Sequence, residues 1–124
     1  MLPKNAVVKV RKALERGYDG LCTITERQKY TRPNKSTGFK EVAVVEDQPC
    51  RLSFTTSPSA TADNNAAAIA QTVKLFLSPE VTVKEGSKIT VTQNGVTTDY
   101  KQSGTPAHYP THQEIILELF KGWA

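Results

Sequence analysis

The two histidines are the residues whose spacing most suggests chemistry. His108 and His112 are four residues apart, which on a helix would place both imidazoles on one face, as in a zinc site. Pro106 and Pro110 make a helix here improbable, because proline lacks a backbone N–H and restricts the residue before it. No cysteine or acidic cluster completes a tetrahedral ligand set. We therefore expect no metal site, and instead a hydrogen-bonded histidine that holds this loop onto the last strand.

The two cysteines, Cys22 and Cys50, are too few for a disulfide scaffold. Both lie in strand-like segments, so we expect reduced core residues, with a pairing or redox role as the alternative. A catalytic thiol needs a nearby base and an electropositive, partly open site, and nothing local supplies these. The sequence also has no phosphate-binding glycine loop, nucleophile elbow or telling pair of carboxylates. It predicts a protein that is not an enzyme and needs no cofactor.

The length of 124 residues predicts a single domain over residues 1–124, with one modest core. No apolar run approaches the ~20 residues that a membrane span requires, so we expect no membrane contact. The N-terminus lacks the apolar stretch of a signal peptide. We expect the protein to stay in the compartment where it is made.

The N-terminal third is basic. Residues 1–40 hold ten Lys/Arg and three Asp/Glu, whereas the remainder holds six and nine. This asymmetry suits docking on an acidic surface or proximity to nucleic acid, although a solvated basic face would give the same pattern.

Residues 4–17 predict an amphipathic helix that ends at Gly17. Its apolar face combines Val7, Val10 and Leu14, and its opposite face carries the candidate docking residues Lys9, Lys12 and Arg16. The apolar stripe is short, so the helix needs a partner, either its own sheet or a neighbouring subunit.

The rest of the chain predicts about seven short strands, forming a small β-barrel or sandwich over residues 20–120. The sequence Asn94-Gly95 fits a type I′ turn between strands at 88–93 and 96–101. We interpret residues 113–120 as a last strand and not a helix, because the hairpin before it needs a covered edge. Further strands are expected at residues 21–31, 39–46, 49–54 and 69–77.

Residues 55–68 form a polar, small-residue stretch without periodicity, which predicts a flexible loop, with a possible helical turn at residues 66–68. The stretch consists of Thr55, Thr56, Ser57, Pro58, Ser59, Ala60, Thr61, Ala62, Asp63, Asn64, Asn65, Ala66, Ala67 and Ala68.

An oligonucleotide-binding fold is the alternative function. Such a barrel presents exposed aromatic side chains among Lys/Arg on neighbouring strands. The sequence has part of that pattern, although so few aromatic residues could equally be core: Tyr18, Tyr30 and Phe39 near Arg27, Lys29, Arg32 and Lys40.

Several segments taken in order resemble the head-closure (stopper) proteins of long-tailed bacteriophages and of Bacillus-type defective prophages. After the basic N-terminus come the strand YDGLCTITERQKY, the segment QPCRLSF at 48–54 and VKLFLSPEVTVKEGSKITV at 73–91. The Asn-Gly hairpin and YPTHQEIILELF at 109–120 follow. The resemblance spans roughly residues 18–120.

The resemblance implies a structural virion protein at the head–tail interface, made in the bacterial host cytoplasm. It would be a monomer alone and form a ring beneath the portal and its adaptor. The ring would close the channel on packaged double-stranded DNA, without sequence specificity, and provide the surface for the tail-completion protein. The loop at 55–68 would be the channel gate.

Overall fold

One helix and seven strands make up the part of the chain that the computed structural model describes, residues 3–58 and 69–123. All strand pairings are antiparallel, and the mainly β fold expected after an N-terminal helix is confirmed. The elements in chain order are α1 (Lys4–Arg16), β1 (Gly20–Thr31), β2 (Thr37–Pro58), β3 (Ile69–Leu77), β4 (Lys88–Gln93), β5 (Val96–Gln102), β6 (Ala107–His108) and β7 (Gln113–Leu119).

The sheet closes on itself as a small barrel. Its strand order is β3-β2-β1-β4-β5-β7-β6, and β3 also pairs with β7. Strand β7 is therefore the closing strand, because it pairs with β3 along one edge and with β5 and β6 along the other. Within the described residues, the one helix is too short and too polar to cross a lipid bilayer.

The barrel interior is filled by alternate residues of the strands, as the period of a strand dictates. Among the polar side chains, Gln113 is 1% exposed, and its Nε2 donates hydrogen bonds to the carbonyls of Ser78 and Val81. This amide ties the loop after β3 to the closing strand. The buried apolar residues are Cys22, Ile24, Cys50, Leu52, Leu75, Leu77, Ile89, Val91, Tyr100, Ile115 and Leu117.

The β4–β5 hairpin has the predicted turn. Asn94 and Gly95 have φ values of 53° and 77°, in the left-handed region that a type I′ turn requires. The strands predicted at residues 69–77 and 113–120 are also found, the latter ending at Leu119.

Strand β2 is one continuous strand, so the prediction of two strands at residues 39–46 and 49–54 was wrong. The pairing with β1 slips by one residue twice, between the partners of Cys22 and Ile24 and between those of Ile24 and Thr25. Asp47, with φ of 50°, lies within the first irregularity. Such bulges bend a strand without ending it, and here they let β2 curve around the barrel.

Strand β2 is longer than the barrel, and both of its ends project as two-stranded ribbons. Beyond Thr25, the last residue of β1 that pairs with β4, the β1–β2 hairpin continues alone; we call residues 26–41 the basic ribbon. At the other end, residues 55–58 pair with residues 69–72, beyond the part of β3 that pairs with β7; we call these eight residues the polar ribbon.

The polar ribbon corrects part of the predicted flexible loop. Residues 55–58 are in β2 and not in a loop, because their backbone pairs with β3 in regular register from Thr55↔Thr72 to Pro58↔Ile69. The sequence prediction missed this part of the strand because it relied on the side-chain pattern, whereas the pairing is made by the backbone. Residues 59–68, including the predicted helical turn, lie outside the described residues.

Candidate docking surfaces

Helix α1 is fastened to the barrel by one arginine. The guanidinium of Arg11 donates to Glu80 Oε1 at 2.8 Å and to Ser78 Oγ at 2.7 Å, both on the loop after β3. A third hydrogen bond, to Glu15 Oε1 at 3.3 Å, fixes the side chain along the helix. The hydrogen bond from Arg11 holds the pKa of Glu80 below its ordinary value. Sequence reasoning missed this anchor because an arginine on a basic helix gives no sign of its partner.

The apolar face of the helix is not packed on the barrel. Val10 and Leu14, predicted to lie on one apolar face with Val7, are 41% and 40% exposed, and no residue of α1 is buried, so of the two partners expected for this face its own sheet is not the one. The less exposed residues of the helix are Ala6, Val7, Arg11 and Glu15, because the bonds from Arg11 to the barrel set the rotation of the helix. An apolar stripe therefore lies on the surface of the monomer.

The predicted docking residues are where the sequence placed them. Lys9, Lys12 and Arg16 are all exposed on α1. Gly17 ends the helix, as predicted, but with φ of −86° it stays right-handed. The helix thus presents three cations and an apolar stripe on one projecting element.

The basic ribbon is the second charged surface. Between residues 27 and 40 it carries five cations and no acidic residue. Residues opposite one another in the ladder share a face, so Lys29 and Phe39 lie on one face with Arg27. The Arg27 guanidinium lies 4.2 Å from the centre of the Phe39 ring, within the range of a cation–π contact.

The opposite face of the basic ribbon is built around Tyr30. The ring lies against Gly38, its partner in the ladder, so closely that a Cβ there would meet Tyr30 Cε1 at 2.8 Å. Arg32 and Lys40 place their charges 5.6 Å and 5.8 Å from the Tyr30 ring centre. Each face of the ribbon therefore carries one aromatic ring and two cations.

The tip of the basic ribbon is held by its own polar groups. Asn34 Oδ1 accepts hydrogen bonds from the backbone N–H of Ser36 at 3.1 Å and from Ser36 Oγ at 2.6 Å. Arg32 donates to the carbonyl of Thr37 at 3.1 Å. Lys35 has φ of 66° and is exposed at the turn. The turn thus presents a fifth cation at the end of the ribbon.

The base of the basic ribbon is joined to the C-terminal segment. Glu41 accepts hydrogen bonds from Lys88 Nζ at 2.9 Å and from Trp123 Nε1 at 3.1 Å, and both hold the pKa of Glu41 below its ordinary value. The Trp123 ring packs edge-on against Phe120, with the ring centres 5.1 Å apart. These contacts fix the start of the ribbon relative to the barrel.

The aromatic residues do not form the shared stacking surface that an oligonucleotide-binding fold presents. Tyr30 and Phe39 lie on the projecting ribbon, whereas Tyr18 is half-buried just before β1. Strand β1 separates Tyr18 from Tyr30, and an extended strand of twelve residues spans ~40 Å. The three rings suggested by the sequence therefore do not share one face of the barrel.

His112 holds the loop before β7, as predicted. Its Nε2 lies 2.8 Å from Glu114 Oε2, and its ring stacks on Tyr109 at 4.8 Å. The carbonyl of His112 accepts the backbone N–H of Tyr109 at 2.8 Å, while His108 pairs with Gln113 in the short strand β6, which the sequence did not predict. Within residues 3–58 and 69–123, no three metal-ligating side chains come together.

Cys22 and Cys50 are neighbouring free thiols in the core, 1% and 0% exposed, in agreement with the prediction of reduced core residues. The contact with Cys22 and the burial both raise the pKa of the Cys50 thiol. A buried thiol of raised pKa is a poor nucleophile.

Comparison of the sequence with protein-family models and with curated proteins finds no match to either. Among solved structures, xkdH of the phage-like element PBSX from Bacillus subtilis has a similar fold, with a TM-score of 0.50 and 11% sequence identity. The similarity covers 80% of this chain and 91% of xkdH. This chain therefore shares the barrel fold of a protein from a phage-like element.

Proposed function

We propose that this protein is a structural component of a phage or prophage virion that closes the head after DNA packaging. In this role it docks beneath the portal and its adaptor, seals the DNA channel and offers the surface on which the tail assembles. It is a monomer alone and forms a ring only on its partners. The proposal is supported by the likeness to xkdH and by the resemblance of the sequence to head-closure proteins.

The observation that carries the proposal is the set of unpartnered projections on a closed barrel. Helix α1 exposes an apolar stripe, and apolar side chains are also exposed on the barrel strands, including Phe54 at 53% and Leu119 at 57%. Single exposed apolar residues are ordinary, but here they accompany a helix and two ribbons that extend from the barrel. Such projections gain contacts when subunits and partners assemble.

The polar ribbon is the element we assign to closure. It continues β2 and β3 beyond the barrel and leads into residues 59–68, whose sequence is made of small and polar side chains. Copies of this ribbon from neighbouring subunits, meeting around the axis of a ring, would exchange backbone hydrogen bonds. Small side chains permit that close approach, and ordering the chain would cost about 1–2 kcal/mol per residue without such contacts.

The test is to replace residues 59–68 by a two-residue Asn-Gly turn. This change keeps the polar ribbon but makes the connection between its strands too short to meet its copies at the axis of the ring. We expect heads assembled with this variant to leak DNA while the isolated protein keeps its melting temperature. A matched control keeps all ten residues in permuted order. Heads with this control should retain DNA, because the proposed closure depends on the length of the segment and on the small size of its side chains. DNA-retaining, infectious particles from the shortened variant would rule the closure role out.

The assembly state gives an independent test. Gel filtration should show a monomer for the protein alone and a ring after mixing with portal–adaptor complexes. A tight oligomer of the protein alone, or no association with those complexes, would contradict the proposed docking.

A further inference from the structure

We propose that the basic ribbon binds double-stranded DNA through the phosphate backbone, without sequence specificity, by lying in a groove of the duplex. The inference concerns the isolated chain and depends on no step of the proposed head-closure function. It follows from the shape of the ribbon and from the positions of its charges and its aromatic rings.

The shape of the basic ribbon suits a DNA groove. Residues 26–31 and their partners in β2 form two strands beyond the barrel, ~20 Å long, and two paired strands are ~5 Å apart. The major groove of B-DNA, ~12 Å wide, admits a two-stranded ribbon of this kind. No other described strand pairs with this part of the hairpin. Lys84 and Trp123 contact the base of the ribbon at Glu26 and Glu41, so the part open to a ligand is the part toward the tip.

The charges of the ribbon lie on both faces and at the tip. Arg27 and Lys29 are on one face, Arg32 and Lys40 are near Tyr30 on the other, and Lys35 is at the turn. A flat acidic protein surface would contact the cations of one face and could not reach those of the other. A groove has phosphates along both walls, so it can neutralise both faces at once. The two-sided distribution therefore favours a duplex over an acidic protein.

The two aromatic rings of the ribbon, Phe39 and Tyr30, are 47% and 38% exposed but lie on opposite faces of it. The Arg27 guanidinium lies over one side of the Phe39 ring, and one side of the Tyr30 ring lies against Gly38. A single-strand-binding surface needs exposed ring faces on which bases can stack. On this ribbon the two rings are on opposite faces and form no common surface for successive bases, so we expect a preference for duplex over single strands.

At the tip, one acceptor that could read a base is already engaged. The Asn34 side-chain oxygen, which could contact a base edge, already accepts two hydrogen bonds from Ser36. Base recognition depends on free donors and acceptors aimed into the groove, whereas contacts from Lys and Arg to phosphates carry no sequence information. Binding by this ribbon should therefore depend on salt and not on base sequence.

The test measures binding of the full-length protein to a fluorescent 20-base-pair duplex of mixed sequence, from 50 to 200 mM salt. If all five cations contact phosphates, the logarithm of the association constant should fall against the logarithm of salt with a slope of about −4 to −5. Duplexes of unrelated sequence should bind equally, and a single strand of the same length should bind more weakly.

The variant K29Q/K35Q/K40Q removes three ribbon cations and is compared with K74Q/K101Q/K121Q, which removes three lysines elsewhere. Both lower the formal net charge from +4 to +1. We expect the ribbon variant to lose at least tenfold in affinity and its salt slope to become shallower by about 3. The control should stay within about threefold, and K29R/K35R/K40R should bind as the parent does.

An equal loss of duplex affinity in the two glutamine variants would overturn the proposal, because the affinity would then depend on net charge alone. Tighter binding to the single strand would also overturn it and would point to stacking on the rings. Absence of salt-dependent duplex binding at 50 mM, with binding to polyglutamate retained, would assign the ribbon to an acidic protein instead. Thermal melting of each variant checks that the barrel is intact, and none of these results depends on portal or head components.

Discussion

Tyr30 and Gly38 form a cross-strand pair in which the aromatic ring occupies the space that a side chain on its partner would fill. A Cβ on residue 38 would meet Tyr30 Cε1 and Cζ at 2.8 Å and Arg32 Cζ at 2.9 Å. Pairing an aromatic ring with a glycine across antiparallel strands is a known way to stabilise a strand that contains glycine. Here it also sets the position of Arg32, so the shape and the charge of the ribbon depend on one missing methyl group.

Replacing Gly38 by valine should distort the ribbon and spare the barrel. The new side chain would displace the Tyr30 ring, so we expect faster amide exchange in residues 28–40 and weaker duplex binding. The melting temperature should fall little, because the ribbon lies beyond the barrel. In a Tyr30→Ala background the same substitution should do much less harm, because the ring that it displaces is absent. An equal effect in both backgrounds would show that the pair is not coupled.

The Arg11–Glu80 pair should control whether α1 stays on the barrel. We expect Glu80→Gln to speed amide exchange throughout Lys4–Arg16 and to leave the strands unchanged, because the pair joins the helix to the loop after β3. Both partners are on the surface, so global stability should hardly change. Glu85→Gln, which removes another exposed carboxylate, is the matched control and should leave the helix protected.

The same pair predicts an acid response. Because Arg11 lowers the pKa of Glu80, the pairing contributes fully above the ordinary pKa of a glutamate, ~4.3, and is lost as the pH falls through the lowered value in the folded protein. Exchange of the α1 amides, corrected for its intrinsic pH dependence, should therefore rise on acidification below pH ~4. Glu80→Gln should lack this step, and an identical step in that variant would assign it to another group.

Gln113 should contribute more to the stability of the protein than any surface ion pair does. Gln113→Leu keeps a similar volume but leaves the carbonyls of Ser78 and Val81 without their buried donor, at a cost of about 1–3 kcal/mol. Urea denaturation should show that loss, whereas Glu118→Gln on the same strand should change stability by less than about 1 kcal/mol. A Gln113→Leu variant as stable as the parent would mean that water or a rearranged loop supplies the missing donor.

The fold was predictable where the conformational preference of a few neighbouring residues determines the structure. The β4–β5 hairpin follows from Asn94-Gly95, because few other residue pairs accept positive φ at both positions. Strand β2 was not predictable as one element, because Asp47 and Pro49 resemble a break in the sequence. In the structure Asp47 lies in a bulge, and pairing with β1 continues on both sides of it, with Pro49 opposite Leu21.

The candidate docking surfaces were predictable in composition and not in geometry. The sequence identified the exposed Lys9, Lys12 and Arg16 and the basic, aromatic segment between residues 27 and 40. That this segment projects as a ribbon follows from the lengths of β1 and β4, which depend on distant pairing. The anchoring of α1 through Arg11 also depends on a residue far along the chain, so helical periodicity could not show which side of the helix meets the barrel.

Charge and apolar contacts on α1 should contribute to different steps of docking on an acidic neighbour. Reversing Lys9, Lys12 and Arg16 to Glu should slow association, because exposed charges mainly steer encounter. The melting temperature should hardly change, since all three side chains are exposed and Glu is about as good a helix former as Lys. Changing Val10 and Leu14 to Ser should instead speed dissociation, because buried apolar contacts form only in the docked state.

Stopped-flow binding to portal–adaptor complexes at several salt concentrations separates these two effects. The association rate of the parent should fall with salt toward that of the charge-reversed variant, because screening removes the same attraction. The serine variant should keep the salt dependence of the parent and show a higher dissociation rate. If the charge-reversed protein unfolds, the three cations are structural. If it associates at the parent rate in low salt, the helix does not meet an acidic neighbour, and docking must use another surface.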